Sequence, residues 1–209
     1  REREREREGE RERERERETE TETETETETG DPPSLEDMVQ VAAGPFMMGC
    51  NDAAEQGCDP SESPYHQVEL SEFNIDIYEV SAGSYKLCVD AGACTYAGST
   101  TDPLRTYDNN RDDHPINFVT WLDAQAYCSW VGKRLPTEAE WEKASRGDDG
   151  RIYPWGNSPE VSCTYAVTIE GDEGCASANT MPVGSKPLGV SPYGAMDMIG
   201  NLHEWTADW

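Results

Sequence analysis

The sequence predicts one loop-rich domain with a few helices and short strands around a single core. Two segments, 66–70 and 73–80, alternate polar and apolar residues as half-buried strands do. Capping and spacing signals predict three helices between residues 81 and 147. Beyond Arg146 the chain is dominated by Gly, Pro, Ser and Asn, so little regular structure is expected there.

The N-terminal part differs in composition from the rest. Residues 1–29 repeat Arg-Glu and then Thr-Glu, with one interruption at Gly9. Because this stretch has no apolar residue to bury, residues 1–30 are predicted to be a disordered tail. A functional electrostatic tail is the alternative. Residues 31–37, with two prolines, are expected to link the tail to a domain over 38–209.

The strands are predicted in the first half of the domain. Met38 to Met48 carries short apolar segments around Ala43-Gly44-Pro45, which predicts a hairpin. The Asp-, Ser-, Gly- and Pro-rich segment 51–64 is expected to be a loop. The alternating segments 66–70 and 73–80 follow as strands.

The helices are predicted from their caps and apolar faces. Ser81 is expected to cap a helix over 82–90, with its buried side drawn from Tyr85, Leu87, Cys88 and Val89. A long loop is expected over 95–113. Apolar residues at three- and four-residue steps then predict a helix over 121–131, with a face formed by Trp121, Ala124, Cys128 and Val131.

The third helix has the clearest boundaries. Thr137 and Glu140 form a capping box, Pro136 precedes the cap, and Gly147 follows the last turn. The tryptophans are expected to form the core, where large aromatic side chains substitute for regular structure. Flanking charged residues are expected to form buried or half-buried ion pairs: Arg134, Glu138, Glu140 and Arg146.

The charge of the chain argues against two classes of partner. The net charge is −26, of which −6 lies in residues 1–30 and −20 in the remainder. A domain this acidic repels phosphate backbones and anionic lipid surfaces. No nucleic-acid partner is therefore expected. No run is apolar enough to predict a membrane span. Divalent cations and basic peptides suit such a surface, although solubility alone also explains acidity.

The seven cysteines fall into three near pairs and one single residue. The pairs Cys50/Cys58, Cys88/Cys94 and Cys163/Cys175 lie in loop-like surroundings and are predicted to form disulfides, which places the protein in an extracytoplasmic compartment. Cys128 lies in a predicted helix and is expected to be a buried, inert thiol. A structural zinc site is the rival interpretation, but the usual C-x2-C spacing is absent.

Three ordered motifs carry a family resemblance. Gly132-Lys-Arg-Leu-Pro-Thr-Glu-Ala-Glu-Trp-Glu142, Tyr153-Pro-Trp-Gly-Asn157 and Gly200-Asn-Leu-His-Glu-Trp205 together resemble the sulfatase-modifying-factor family, whose founding member is the formylglycine-generating enzyme. The resemblance extends from about Met38 to Trp209. It implies an α+β fold of the C-type-lectin-like kind, with few helices, short strands and many loops.

The same resemblance implies an activity and its cofactor. Enzymes of this family oxidise a peptide cysteine in sulfatases to formylglycine, using molecular oxygen and a copper-binding cysteine pair. That pair lies beyond the segment matching Glu204–Trp209, so the domain is expected to be incomplete at its C-terminus and this chain inactive, with apolar surface uncovered. Copper and a cysteine-containing peptide or sulfatase partner are therefore expected only for a longer protein.

A calcium site is the main candidate within this chain. Asp197 and Glu204 flank a short loop containing Gly200, and such a loop supplies carboxylate and carbonyl oxygens to hard cations. The resemblance implies calcium ligands at Asp197 and Glu204 through side chains and at Gly200 and Leu202 through carbonyls. The alternative is that Asp197 stabilises a turn and Glu204 pairs with a base.

Other candidates are weaker. A second calcium site of the family does not carry over, because Val167 and Cys175 stand at its ligand positions and neither is suited to a hard cation. Asp108–Asp112 lacks the Gly and the late Glu of an EF-hand loop and is expected to be solvated. His66, His114 and His203 show no spacing typical of a catalytic or zinc site.

Three functions remain open. The first is a formylglycine-generating enzyme; the second is a non-catalytic, calcium-stabilised binding module of the same family for a peptide, a glycan or a surface partner. The third is a related oxygenase with a different substrate. Family membership does not decide among them, because different sites are built on one fold.

Overall fold

The computed structural model describes residues 38–51, 58–98, 101–168 and 179–208, all of which belong to one compact unit. The predicted tail, the linker and Cys175 lie outside the described residues. The described part contains four strands: β1 (Met38–Val41), β2 (Gly44–Met48), β3 (His66–Leu70) and β4 (Phe73–Asp76). Its α-helices are α1 (Ala82–Asp90), α2 (Trp121–Trp130) and α3 (Glu138–Arg146). These elements make an α+β, loop-rich domain.

The predicted hairpin over 38–48 is wrong. Strand β1 pairs with β4 and β2 pairs with β3, both antiparallel, and β1 does not pair with β2. The two pairs of strands continue a single register: Met38 pairs with Asp76 and Gly44 with Leu70, so in each case the two residue numbers add up to 114. Residues 38–48 and 66–76 are therefore two long strands of one ribbon, each interrupted once. Gly44, at φ +135°, bends the first strand without reversing it.

The helix boundaries follow the predicted caps. The Ser81 side chain accepts a hydrogen bond from the Ser84 N–H and begins α1. Thr137 and Glu140 form the predicted capping box of α3, which ends at Gly147. Helix α2 ends one residue earlier than predicted and is also capped by a box, formed by Thr120 and Asp123. Beyond Arg146, the described residues contain only a short 3-10 turn, Pro187–Gly189.

Two core clusters lie within the described residues. One lies between α1 and α2 and contains Ala82, Tyr85, Cys88, Cys94, Ile116 and Tyr127. The other joins the ribbon to α3 and contains Val41, Ala144, Ala195 and Met198. In this second cluster the loop that carries Met198 packs against the ribbon, which places the segment around residue 200 beside the sheet.

Some predicted core positions are wrong. Leu87 is 36% exposed, and Trp205 is 49% exposed. On α2, Tyr127 is the buried residue, whereas the four residues predicted for its buried face are only half-buried. The predicted ion pairs partly form: Arg134 contacts Glu140, whereas Arg146 pairs with Glu142.

Candidate cation site

The segment Asp197–Glu204 turns sharply because three residues adopt left-handed backbone conformations. Asp197 has φ +57°, Gly200 +82° and Asn201 +58°. Asp, Asn and Gly tolerate this region better than other residues. A Cβ on Gly200 would stand 2.1 Å from the Val167 carbonyl oxygen, so only glycine fits there. The sequence of this segment thus specifies its compact shape.

Asn201 connects this loop to three distant segments, at Glu79, Val167 and Met181. Its side-chain amide donates to Glu79 Oε2 at 2.6 Å, and its Oδ1 accepts from the Met181 N–H at 2.9 Å. The Asn201 N–H donates to the Val167 carbonyl at 2.8 Å. Asn201 therefore brings Glu79, from the connection between β4 and α1, to the predicted calcium loop.

Glu79 is an acidic residue that sequence reasoning missed. Burial, and then the charges of Glu204 and Asp197, raise the pKa of Glu79 to about 9, against hydrogen bonds from Asn201 and the Leu202 N–H. Its Oε1 is buried without a hydrogen-bond partner in the described part. The signal in the sequence is only one Glu after a predicted strand, which is too common to single out.

The two predicted carboxylates lie near Glu79. Asp197 is buried, its Oδ2 accepts from the Gly184 N–H at 2.6 Å, and burial raises its pKa. The pKa of Glu204 is raised to about 7, first by burial and then by Asp197, while Trp141 opposes the rise. By surface area Glu204 is exposed, and it lines a cleft beside the loop.

Two buried polar atoms beside the loop lack a hydrogen-bond partner in the described part of the chain, Glu79 Oε1 and the Trp141 indole nitrogen. The Trp141 indole N–H, although close to Glu204, does not reach hydrogen-bond geometry with any described residue. Glu79, Asp197 and Glu204 influence one another electrostatically, and three carboxylates with an orphaned oxygen are the donors that a hard cation takes. Gly200 and Leu202, whose carbonyls were predicted as further ligands, lie between Asp197 and Glu204 in the chain.

The carboxylate oxygens of Glu79, Asp197 and Glu204 do not form a tight cluster. Among the described residues, one group of three metal-ligating side chains has its ligand atoms within 4.8 Å of one another: Cys50, Cys58 and Glu62. The two cysteines of that group form a disulfide and are not ligands. The oxygens of Glu79, Asp197 and Glu204 are therefore farther apart than 4.8 Å as a set, as expected for carboxylates that repel one another.

The other predicted candidates are placed as follows. Val167 is buried, and its side chain has no oxygen to offer a second cation. Its backbone carbonyl already accepts a hydrogen bond from the Asn201 N–H. Asp108 pairs with Arg105 at 2.7 Å, and Asp112 pairs with Lys86. His114 Nδ1 lies 2.9 Å from Thr180 Oγ1 in a structural contact.

The cysteine predictions are confirmed at two bridges. Cys50 is bonded to Cys58 and Cys88 to Cys94. Cys163 is disulfide-bonded as well, while its predicted partner lies outside the described residues. Cys128 is free but half-buried rather than buried, and burial raises the pKa of its thiol to about 11.

A cleft of about 500 Å³ adjoins the acidic loop. It is lined by β4, by α2 and the segment after it, and by residues from Met196 to Trp205. Glu79 and Glu204 both line it, so the candidate cation site forms part of its wall. None of the helices in the described ranges is long and apolar enough to cross a bilayer.

Comparison with known proteins gives a consistent result. Residues 22–209 match the sulfatase-modifying factor enzyme 1-like domain. The chain is 30% identical over 227 residues to the formylglycine-generating enzyme of Mus musculus, covering 85% of this chain and 59% of that protein. It therefore spans about three fifths of the length of that relative.

Two further relatives have other names. The hercynine oxygenase of Mycolicibacterium smegmatis is 32% identical over 197 residues, which cover 81% of this chain and 45% of that protein. The structure of PvdO from Pseudomonas aeruginosa aligns with a TM-score of 0.69 at 30% identity, covering 86% of this chain and 72% of that chain. One fold thus carries differently named proteins.

Proposed function

This chain belongs to the sulfatase-modifying factor family, and we propose that it is the calcium-stabilised scaffold of an oxidase of the formylglycine-generating type. The substrate would be a cysteine in an extended peptide, as in a sulfatase. The observation that carries the proposal is the set of three buried or cleft-lining carboxylates around the loop 197–204.

Calcium would act here through charge. Asp197 and Glu204 would supply side-chain oxygens, Gly200 and Leu202 carbonyls, and Glu79 the orphaned Oε1. A bound divalent cation would neutralise carboxylates that otherwise repel one another and would fix the loop to the connection between β4 and α1. The role is structural, and it would hold one wall of the cleft in place.

The described residues do not fit copper. Cys128 is the one free cysteine among them, and its thiol, with a pKa near 11, stays protonated at neutral pH. A protonated thiol is a poor ligand and a poor nucleophile. No oxidation step is assigned to these residues, and the chemistry of the proposed oxidase would need cysteines other than the described ones.

Calcium titration tests the scaffold role. We expect millimolar calcium to raise the unfolding midpoint of the intact chain, because the ion binds the folded state. Terbium, a calcium substitute, should show luminescence sensitised by the nearby Trp141. Asp197→Asn should abolish both effects. Asp112→Asn is the control and should retain them, because Asp112 pairs with Lys86 away from the candidate site. An unchanged midpoint together with unsensitised terbium would refute the proposal.

A calcium-stabilised binding module is the second candidate function. The observation that favours it is the cysteine chemistry: two bridges are closed and the free thiol is deactivated. Incubating a cysteine-containing peptide with copper, oxygen, a thiol reductant and the protein expressed from its natural gene distinguishes the two. Aldehyde formation, detected with a hydroxylamine probe, favours the oxidase, and binding without aldehyde favours the module.

The disulfides also bear on location. Three bonded positions, Cys50, Cys88 and Cys163, indicate folding in an oxidising environment. We therefore propose an extracytoplasmic location, either periplasmic, secreted or on a surface. Fractionation of cells expressing the protein from its natural gene tests this directly.

A further inference from the structure

A group of metal-ligating side chains lies away from the cleft, on the connection between β2 and β3. Cys50, Cys58 and Glu62 each place one ligand atom within 4.8 Å of the other two, and none of them lines the cleft. Two cysteine sulfurs and a carboxylate oxygen are ligands that zinc takes. In the oxidised protein the two sulfurs are bonded to each other, so they become ligands only when this bridge is reduced.

The backbone at Cys50 is held in place by contacts other than the bridge. The Gly49 N–H donates to Glu142 Oε1 at 2.9 Å, and Arg146 Nη1 donates to the Gly49 carbonyl at 2.8 Å, which fixes this segment to α3. The Cys50 N–H donates to the Glu62 carbonyl at 3.0 Å. Because none of these hydrogen bonds involves a sulfur, Cys50 should keep its position after reduction.

The Glu62 carboxylate is positioned by a short turn that begins next to Cys58. Asp59 caps the 3-10 turn Pro60–Glu62, and its side chain accepts from the Ser61 N–H at 2.9 Å. In return the Asp59 N–H donates to Glu62 Oε2 at 2.9 Å. This reciprocal capping box orders Glu62 and the residue that follows Cys58. The carboxylate therefore stays beside the sulfurs whether or not they are bonded.

Access favours reduction of this bridge over Cys88–Cys94. Cys58 is half-buried, whereas Cys88 and Cys94 are both buried in the core, so a small thiol reaches the Cys58 sulfur first.

The spacing also suits zinc. Zinc bonds of about 2.3 Å to sulfur and about 2.1 Å to oxygen place tetrahedral ligand atoms roughly 3.5–3.8 Å apart. Sulfurs lie about 2 Å apart in a disulfide, so small side-chain rotations bring them to that spacing once the bond is broken.

We propose that reduction of the bridge Cys50–Cys58 creates a zinc site formed by both thiolates and the Glu62 carboxylate, with water as the fourth ligand. Two molecules of a small thiol reduce the bridge and leave as their own disulfide, and zinc then displaces one proton from each cysteine. The ion joins the same two positions that the bridge joins in the oxidised protein. The site involves neither the calcium loop nor an oxidase, so it goes beyond the proposed function and can fail separately.

Alkylation of the intact chain tests the inference. The protein is reduced with a phosphine, freed of the reductant and treated with iodoacetamide with and without zinc, and mass spectrometry follows each cysteine. We expect zinc to slow alkylation of Cys50 and Cys58 about tenfold or more, because metal-bound thiolates react slowly. The rates at Cys88, Cys94 and Cys128 should not change. Cobalt in place of zinc should give sulfur-to-cobalt charge-transfer absorption in the reduced protein and none in the oxidised protein.

A matched pair of variants tests the carboxylate. Glu62→Gln should weaken zinc binding about tenfold or more, because an amide is a poor zinc ligand although it still accepts the Asp59 N–H. Glu69→Gln, at an exposed position of β3 outside the group, is the control and should bind zinc normally.

Re-oxidation with diamide, a thiol oxidant, should release the zinc as the bridge closes. Zinc retained after re-oxidation would place the ion elsewhere and overturn the proposal. Alkylation of Cys50 and Cys58 that zinc does not slow, equal slowing at every cysteine, or unchanged zinc affinity of Glu62→Gln would each overturn it as well.

Discussion

At the scale of single residues, the candidate site depends on Asn201 and Glu79. Their 2.6 Å hydrogen bond joins residues that are 122 positions apart in the chain. Buried carboxyl groups are stable only when protonated, paired or bound to a cation. Glu79 has one partnered and one orphaned oxygen, so its protonation should depend on whether a cation is present.

Calcium-free protein should lose stability as the pH rises. The pKa of Glu79 is raised from 4.5 to about 9 in the folded state, so the folded state binds more protons than the unfolded state between these values. Its contribution is complete below about pH 4.5 and is lost as the pH rises through 9. Glu204, raised to about 7, acts with the same sign over a narrower range.

Thermal melts in chelator between pH 5 and 9 test this linkage. We expect the midpoint to fall with pH, and Glu79→Gln to flatten the fall because a glutamine amide does not titrate. Glu69→Gln, at an exposed position, is the control and should keep the slope. A flat profile for the unmodified protein in chelator would contradict the proposed burial of Glu79.

Gly200→Ala should destabilise the protein by about 3 kcal/mol or more, because it combines a left-handed backbone with a Cβ placed against the Val167 carbonyl. The control is Gly92→Ala. Gly92 has φ +73° but open space around its Cβ, so only the backbone term of about 1 kcal/mol applies. Urea unfolding of both variants gives the difference. Equal losses would mean that the contact with Val167 does not constrain the loop.

At the scale of elements, Lys143 holds the interrupted strand against α3. It is 1% exposed, and its ammonium donates to the Ala42 carbonyl at 2.8 Å and to the Gly44 carbonyl at 2.7 Å. These carbonyls flank the break between β1 and β2. A buried lysine thus satisfies backbone acceptors that the ribbon cannot pair at that point.

Lys143→Met should cost about 2–4 kcal/mol, because the thioether fills the space but leaves two buried acceptors unpaired. Lys186→Met, a half-buried position in a loop, is the control and should change stability by less than about 1 kcal/mol. Denaturant unfolding monitored by tryptophan fluorescence measures both. A Lys143→Met variant as stable as the control would show that the carbonyls find other partners.

At the scale of the whole molecule, the acidic charge and the disulfides set the conditions for stability. A net charge of −26 opposes compaction through self-repulsion. The bridge Cys50–Cys58 and the bridge Cys88–Cys94 close short loops, and bridges of this kind stabilise by restricting the unfolded chain. Cys88 and Cys94 belong to the core cluster between α1 and α2. Losing the Cys88–Cys94 bridge should therefore lower the stability of the domain more than losing Cys50–Cys58.

Deleting residues 1–30 should leave the unfolding midpoint of the domain unchanged. The deleted segment has no apolar side chain to bury and carries a net charge of the same sign as the domain. Calorimetry of the full and shortened chains at 0.15 M salt, where surface charge is screened, makes the comparison. A lower midpoint after deletion would show that the repeat contributes contacts to the folded domain.

Predictability from sequence followed the range of the interactions. The caps at Ser81 and Thr137 were predicted because a cap is formed by residues three positions apart. The bridges Cys50–Cys58 and Cys88–Cys94 join cysteines eight and six residues apart. By contrast, the hairpin at 38–48 was predicted wrongly, since pairing with 66–76 is decided by contacts across the ribbon.

By itself, the sequence determined the helices, two of the bridges, the family and the acidic loop Asp197–Glu204. Each of these is encoded by neighbouring residues or by ordered motifs. Only the tertiary structure decided that Glu79 joins this loop, that Trp205 lies at the surface, and that β4 lines a cleft. Burial and charge coupling depend on segments that meet after folding, and no local pattern in the chain specifies which distant segments those are.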